Sequence, residues 1–404
     1  MIQVEKNKKM RILMINEVLG VTSTGAICSG LAEYMLARGH EVKVLYGRMA
    51  APKRCESYGV RIASDWEVKG DAMMARLFDN CGLGSHKATD RAIEIIREFS
   101  PDVIHLHNLH GYYINYFRLL ESIQKMQIPV VWTLHDCWAL TGHCAYFDYC
   151  GCEKWKTGCE KCPQRKQYPK SLLLDRSSRN YQKKKEIYGR MDRLEIVVPS
   201  RWLADIVKES ILAKNVRVIP NGVDTNVFRH REGNYFLEKG LTDKKVLLGV
   251  ASIWEPRKGL QYFAKLANIL PDEYQVVLIG LNERQKKELP SGIIGVPRTN
   301  GQEELAYAYS SAYAFLNPTK EDNYPTTNME AICCGTPVIT FDTGGSPESA
   351  GYYGAVCEKS AEALLKAVRQ IRDIDTEGIA KARKAFDGNV MKERYESLYR
   401  EMIT

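Results

Sequence analysis

Short runs of apolar, often β-branched residues alternate with helix-period segments along most of the chain, and near its midpoint the alternation starts again. The first series holds the runs 11–16, 41–46, 102–107, 129–134, 195–199 and 216–220; the second holds 245–251, 274–280, 292–296, 312–317 and 336–341. Near-continuous apolar runs separated by helices read as parallel strands covered on both faces. Two series imply an α/β chain of two doubly wound, Rossmann-like parallel-sheet domains, with ligands expected at the carboxyl ends of the strands. The length agrees, because 404 residues exceed one ordinary core and divide naturally into two.

The helix expected after the first run carries Ile27, Leu31, Tyr34 and Met35 on one face, with Gly39 closing it. The turn residues Pro220, Asn221, Gly222 and Asp224 place a boundary there, giving a first domain 1–222 and a second domain 223–388. The last stretch, 389–404, has helical spacing through Val390, Tyr395, Leu398 and Met402; it can cap either domain, and packing back on the first is the expectation.

A composition of 45% apolar and 26% charged residues is that of a soluble globular chain. The start is polar, the apolar run 12–15 is too short for an export signal, and no run approaches the roughly 20 residues of a spanning helix. A cytoplasmic location is therefore expected. The formal charge is +8, densest over 176–185 with Arg190 and Arg193. That stretch reads first as a solvated helix face, and second as a footprint for an anionic membrane surface, with peripheral association at its inner face, or for a phosphate-linked acceptor. No basic stripe is interleaved with stacking aromatics, so nucleic acid is not an expected partner.

Several segments carry chemistry. The first strand ends at Asn16, and Gly20 and Gly25 bracket a turn at a helix start, where backbone N–H groups and the helix dipole favour an anion. A plain tight turn explains those glycines equally well. His105, His107 and His110 follow one expected strand and His135 and Asp136 another; His135 is the stronger active-site candidate and His107 ranks below it. In the second domain, Arg257 and Lys258 sit beside Gly259 at a helix start, where the dipole disfavours cations, so a departing diphosphate is a better partner for them than solvent. The densest signal is the stretch from Glu321 through Asp322, Asn323 and Tyr324 to Glu330. Two carboxylates bracket a polar loop: one acid can grip ribose hydroxyls, the loop N–H groups the phosphates, and the other acid the transferred sugar.

In their order these motifs resemble the family 4 glycosyltransferases, retaining enzymes of the GT-B fold found in bacterial surface-polysaccharide assembly. The resemblance runs through the Gly25 loop, Arg38 to Val42, Asp102 to His107, Thr133 to Asp136, Pro220 to Asp224, Arg257 to Gly259, and Asp322 to Glu348. It implies two domains facing each other across a cleft. It also implies a sugar moved from a UDP- or GDP-linked donor to a glycan or lipid-linked acceptor, without a catalytic metal or other cofactor. By similarity Glu330 would hold the ribose, Lys258 the diphosphate, His135 the donor sugar or its phosphate, and Gly25 the phosphate-side loop, with Asn323 and Tyr324 in the donor loop. Two departures stand out. Where the family usually has glutamate this chain has Asp322, and where its phosphate-binding arginine normally lies there is Ile253, leaving Arg257 to substitute.

Six of the twelve cysteines crowd into an insertion over 137–163, directly after His135. Cys159 and Cys162 have C-x-x-C spacing, and Cys144 with Cys150, or with Cys152 in its place, completes four thiolates suited to a structural zinc ion. Redox-sensitive thiols without metal are the plainer reading. Two other functions compete with sugar transfer: a sugar-nucleotide epimerase or phosphorylase on the same plan, and a metal-stapled nucleic-acid-binding module.

Overall fold

The computed structural model describes residues 8–371 and 375–404. They form two compact units: residues 8–199 with 203–219 and 392–404, and residues 200–202 with 220–371 and 375–391.

The first unit is built on seven parallel strands: β1 (Arg11–Asn16), β2 (Glu41–Tyr46), β3 (Gly59–Arg61), β4 (Val103–Leu106), β5 (Val130–Thr133), β6 (Leu194–Val198) and β7 (Val216–Val218). Their order is β3-β2-β1-β4-β5-β6-β7. In β1, Met14 sits between Val44 of β2 and His105 of β4. Ile12, Leu13, Met14 and Ile15 are all fully buried, which is why this run is apolar at every position. The helix Thr22–Ala37 follows β1; Leu31 and Met35 are buried, and Gly39 closes the turn at φ +86°.

The second unit has six parallel strands: β8 (Lys245–Val250), β9 (Tyr274–Ile279), β10 (Ile293–Val296), β11 (Ala314–Asn317), β12 (Val338–Phe341) and β13 (Gly354–Cys357), in the order β10-β9-β8-β11-β12-β13. Successive residues feed opposite faces. Leu248, Val277 and Phe315 pack into one apolar layer, and Leu247, Val276, Leu278 and Leu316 into the other. Each such side chain contributes about 1.5–3 kcal/mol by leaving water.

In both sheets the strand order reverses once, between β1 and β4 in the first and between β8 and β11 in the second. The loops leaving those strands diverge there and open a crevice at the strands' carboxyl ends. The strands β3 and β13 are edge strands that the sequence does not announce. They are short, three and four residues, and only partly buried, so neither forms an apolar run.

The last helix, Gly388–Ile403, contributes its C-terminal part to the first unit. The hydroxyl of Tyr395 lies 2.8 Å from Thr133 Oγ1, and that of Tyr399 lies 2.6 Å from His105 Nδ1. Glu396 meets His40, Arg38 and Arg400. Among the described residues no helix is long and apolar enough to cross a membrane.

Candidate functional site

The second unit gathers its charged residues at the switch point. A 3-10 turn, Pro256–Lys258, follows β8, and the loop 318–325 follows β11. Lys258 Nζ lies 2.5 Å from Asp322 Oδ2, and Arg257 stands 3.6 Å from the same oxygen while donating to the Glu321 carbonyl. Burial pushes the Lys258 ammonium down, an effect only partly offset by Asp322. Burial would raise the Asp322 carboxyl, but Lys258 and Arg257 outweigh it and hold the group below its ordinary value. Asp322 is thus ionised at pH 7 and lies between two basic side chains in a partly desolvated place.

Backbone geometry makes this approach possible. Gly259 has φ +78°, and a Cβ there would sit 2.0 Å from the Pro318 carbonyl oxygen; Gly344 has φ +57°, and its Cβ would sit 2.1 Å from that of Asp322. Only glycine fits at either position.

The helix Thr326–Cys333 begins just past this cluster, with Pro325 as N-cap, no side-chain cap and no acid in its first turn. Its first turn therefore has no side-chain cap or carboxylate, and its dipole favours an anion there. Glu330 lies one turn in. Tyr309 OH donates to Glu330 Oε2 at 3.2 Å, and burial among apolar neighbours raises the carboxyl to about 7. Tyr324 is buried, and Asn323 Oδ1 accepts from the Ser200 hydroxyl at 2.6 Å.

Beneath the loop lies a buried polar net that motif reasoning missed. Asn317 donates to Asn328 Oδ1, Asn328 Nδ2 reaches Ser346 Oγ and Ser349 Oγ, and Thr340 pairs with Ser346. Such a net is satisfied in one arrangement, which fixes the loop's shape.

On the first unit, the helix Thr22–Ala37 also starts without a side-chain cap or an acid in its first turn. Gly25 lies in that turn, and its carbonyl accepts the Gly20 N–H at 3.0 Å. His135 follows β5, half-buried, with Nε2 3.0 Å from His107 Nδ1 and the two rings stacked. Burial lowers His135 to about 4 and His105 to about 3, and drives His107 down as well, so all three are neutral at pH 7. His110 differs. Burial works against its charge, yet Asp136 at 2.8 Å raises it above its ordinary value, and Tyr168 OH lies 2.8 Å from its other nitrogen. Of the adjacent histidines, three are thus pushed toward the neutral form and His110 alone toward the charged one. The sequence marked His110 only as part of a motif and did not reveal its pairing.

The cysteine-rich insertion does not assemble the expected thiolate set. Cys144 and Cys162 share a hydrogen bond, and Cys159 and Cys152 lie close enough to influence each other electrostatically. Cys150 is exposed at the end of a 3-10 turn, and its thiol donates to the Phe147 carbonyl. Among the described residues no three His, Cys, Asp or Glu side chains converge as metal ligands. What ties the insertion down is Lys184, fully buried, which donates to the carbonyls of Trp138 and Thr141 and lies 3.5 Å from the Trp138 ring centroid. The basic stretch is therefore not one solvated face. Lys184 is inside, Arg190 pairs with Glu186, and Arg193 donates to Gln127 and Met402 carbonyls.

The family model for glycosyltransferase family 4 matches residues 26–227, half of the chain, and that for glycosyl transferases group 1 matches residues 244–373. The chain belongs to glycosyltransferase family 4. The cation cluster, the uncapped helix and Glu330 of this glycosyltransferase all lie inside the second matched segment. Over 97% of its length it is 24% identical to the whole of a putative colanic acid biosynthesis glycosyl transferase, WcaC, of Escherichia coli K12. Its fold is shared with the sucrose-phosphate synthase of Thermosynechococcus elongatus (TM-score 0.69, 16% identity, 98% and 99% of the two chains). It is shared equally with HepE of Anabaena in complex with UDP (TM-score 0.66, 15% identity, 97% and 100%).

Proposed function

We propose that this glycosyltransferase moves a hexose or similar sugar from a UDP- or GDP-linked donor, with retention of anomeric configuration, to a glycan or lipid-linked acceptor in polysaccharide biosynthesis. The observation that carries the donor reading is the pairing of Lys258 and Arg257 on Asp322 beside an uncapped helix that bears Glu330. The similarity to the colanic acid enzyme supports the polysaccharide context, and the fold shared with a UDP-bound structure supports the donor class.

In this reading the diphosphate lies on the first N–H groups of the helix Thr326–Cys333, with Lys258 and Arg257 offsetting its charge. Glu330 accepts from ribose hydroxyls. The bond between the anomeric carbon and the departing phosphate oxygen breaks as the acceptor oxygen bonds to the same face, and the departing phosphate takes the acceptor proton. No protein base is needed. Positive groups fixed in advance against developing phosphate charge supply the largest catalytic effect. Asp322 keeps the two cations aimed; the family's longer acid would reach further toward a sugar. On the first unit taken by itself, His135 offers a neutral imidazole to a hydroxyl and the turn at Gly25 offers backbone N–H groups to an anion.

Incubation with sugar nucleotides and a polysaccharide-repeat acceptor tests this. Release of nucleoside diphosphate that depends on acceptor, with an axial anomeric product from an axial donor by NMR, is the expected result. Acceptor-independent turnover of the donor would assign an epimerase instead, and phosphate-dependent cleavage of glycan a phosphorylase.

A further inference from the structure

Two thiols of the cysteine-rich insertion meet although four do not. The thiol of Cys144 donates to the sulfur of Cys162. Cys144 is only 4% exposed, whereas Cys162 is half-buried, so one sulfur of the pair can be approached from solvent and the other lies behind it. The backbone builds this approach. A Cβ at Gly142 would sit 1.9 Å from the Ser177 carbonyl oxygen and 2.9 Å from Cys159 Cβ, so only glycine lets the turn that carries Cys144 lie against the start of the helix Ser177–Gly189. Thr141 Oγ1 donates to the Cys144 carbonyl at 2.6 Å and closes that turn. On the other side Lys161 has φ +43°, uncommon for a residue with a side chain, and the chain turns there to set the Cys162 N–H on Asp175 Oδ2 at 2.7 Å.

The surroundings treat the two sulfurs differently. His143 lies beside them, its Nδ1 2.5 Å from Asp79 Oδ1 and its buried Nε2 without a hydrogen-bond partner. Burial works against charge on this ring, but Asp79 outweighs it, and the ring is raised above its ordinary value. At Cys162 the hydrogen bond from Cys144 is the chief reason that the thiol falls to about 7. Burial opposes it, His143 and the Gln164 N–H assist it, and Asp175 pushes weakly the other way. The same hydrogen bond, with burial, drives Cys144 up. Two inert core thiols would both be raised by burial, as Cys333 and Cys334 are, each to about 12. Cys159, the C-x-x-C neighbour of Cys162, is likewise raised by burial to about 11. A reachable, partly ionised sulfur with a protonated one against it is the arrangement of an attacking and a resolving thiol.

We propose that Cys162 and Cys144 are a reversible thiol–disulfide site of the first unit, which takes a small-molecule disulfide as its oxidant. The Cys162 thiolate attacks one sulfur of that disulfide; the small S–S bond breaks, one small thiolate leaves, and a mixed disulfide remains on Cys162. Cys144 then gives up its proton, its sulfur attacks Cys162 Sγ, and the second small thiolate leaves. Two protein thiols are oxidised to one disulfide, and one small disulfide is reduced to two thiols. The new bond ties the turn that follows His135 and Asp136 to the segment that leads to Tyr168. Ala145, next to Cys144, already accepts the Cys137 N–H and donates to the Tyr168 carbonyl, and the Tyr168 hydroxyl meets His110. Oxidation therefore clamps the insertion around the His110–Asp136 pair. Sugar transfer is not needed for this chemistry.

Equilibration of the reduced full chain with mixtures of oxidised and reduced glutathione, followed by blocking with N-ethylmaleimide and non-reducing peptide mapping, tests this. A Cys144–Cys162 bond that fills as the mixture becomes more oxidising, and reopens with dithiothreitol, is the expected result. Cys144→Ser should stop at a glutathionyl adduct on Cys162, because the resolving sulfur is gone. Cys162→Ser should lose the bond and leave the buried Cys144 unmodified. Both variants should keep the circular dichroism of the wild type. The readout is the state of the thiols, so it is unaffected by failure of the donor reading. A Cys159–Cys162 bond in place of the expected one would overturn the proposal. So would Cys144 and Cys162 remaining free thiols at every ratio while the exposed Cys150 takes up glutathione. Zinc that co-purifies in stoichiometric amount and shields both thiols until a chelator removes it would overturn it as well.

Discussion

Lys258 Nζ and Asp322 Oδ2, 2.5 Å apart, join the turn after β8 to the loop after β11 across the switch point of the second sheet. Neither residue is more than a quarter exposed, so the pair is held in a weakly screened place where removing one partner strands the other.

Asp322→Asn is therefore expected to destabilise the chain by about 3 kcal/mol at pH 7, read from urea unfolding. The folded value of Asp322 lies below its unfolded one, so its contribution is present above about pH 4 and is lost as pH falls through the folded value. Equal urea midpoints for wild type and variant at pH 7 would refute this.

Lys258→Ala should lower kcat about 100–1000-fold if the ammonium meets the charge on the departing diphosphate. Steady-state rates of nucleoside diphosphate release measure it; an unchanged kcat with a raised KM would place Lys258 in ground-state binding alone.

Glu330→Gln should stabilise the fold while abolishing donor binding. Burial raises this carboxyl from 4.5 to about 7, so the folded state carries an unfavourable charge above pH 7 that is absent once pH falls below the unfolded value. At about 1.4 kcal/mol per unit the gain at pH 8 is about 3 kcal/mol, shrinking to less than about 1 kcal/mol at pH 5. Unfolding at the two pH values, beside calorimetric titration of nucleotide, separates the two effects.

His107→Phe should reduce turnover by about fivefold, the worth of one hydrogen bond that orients His135. Because His135 is lowered to about 4, the rate of the wild type should show no inflection near 6.5 from this residue. A His135 resonance titrating at that pH by NMR would count against the arrangement.

Cys162 should be the thiol whose alkylation by iodoacetamide rises with a midpoint near pH 7. The hydrogen bond from Cys144 lowers it to about 7, and the same bond with burial raises Cys144. Peptide mapping over pH 6–9 reads this directly, and Cys144→Ser should change the Cys162 midpoint.

The sheets were legible because their central strands are buried on both faces and so are apolar without interruption; Ile12 to Ile15 is the clearest case. Edge strands such as Gly59–Arg61 are not, since half-buried residues leave no run to see. Lys258 could be singled out because a cation at a helix start opposes the dipole, but its bond to a residue 64 positions away could not. The same holds for His110 with Tyr168 and for the net around Asn328, whose members meet only once the sheet is formed. The cysteine spacing pointed to four thiolates. The fold turns Cys150 outward onto a backbone carbonyl, a local hydrogen bond that spacing cannot reveal.

In the proposed function the loop from Glu321 to Glu330 binds a nucleoside diphosphate. Thermal unfolding with UDP and with GDP, for wild type, Lys258→Ala and Glu330→Ala, tests it most directly. One nucleotide at about 100 times its Kd should stabilise the wild type by about 2.7 kcal/mol, several degrees in Tm, and leave both variants unmoved. No shift with either nucleotide, or the same shift in all three proteins, would contradict it.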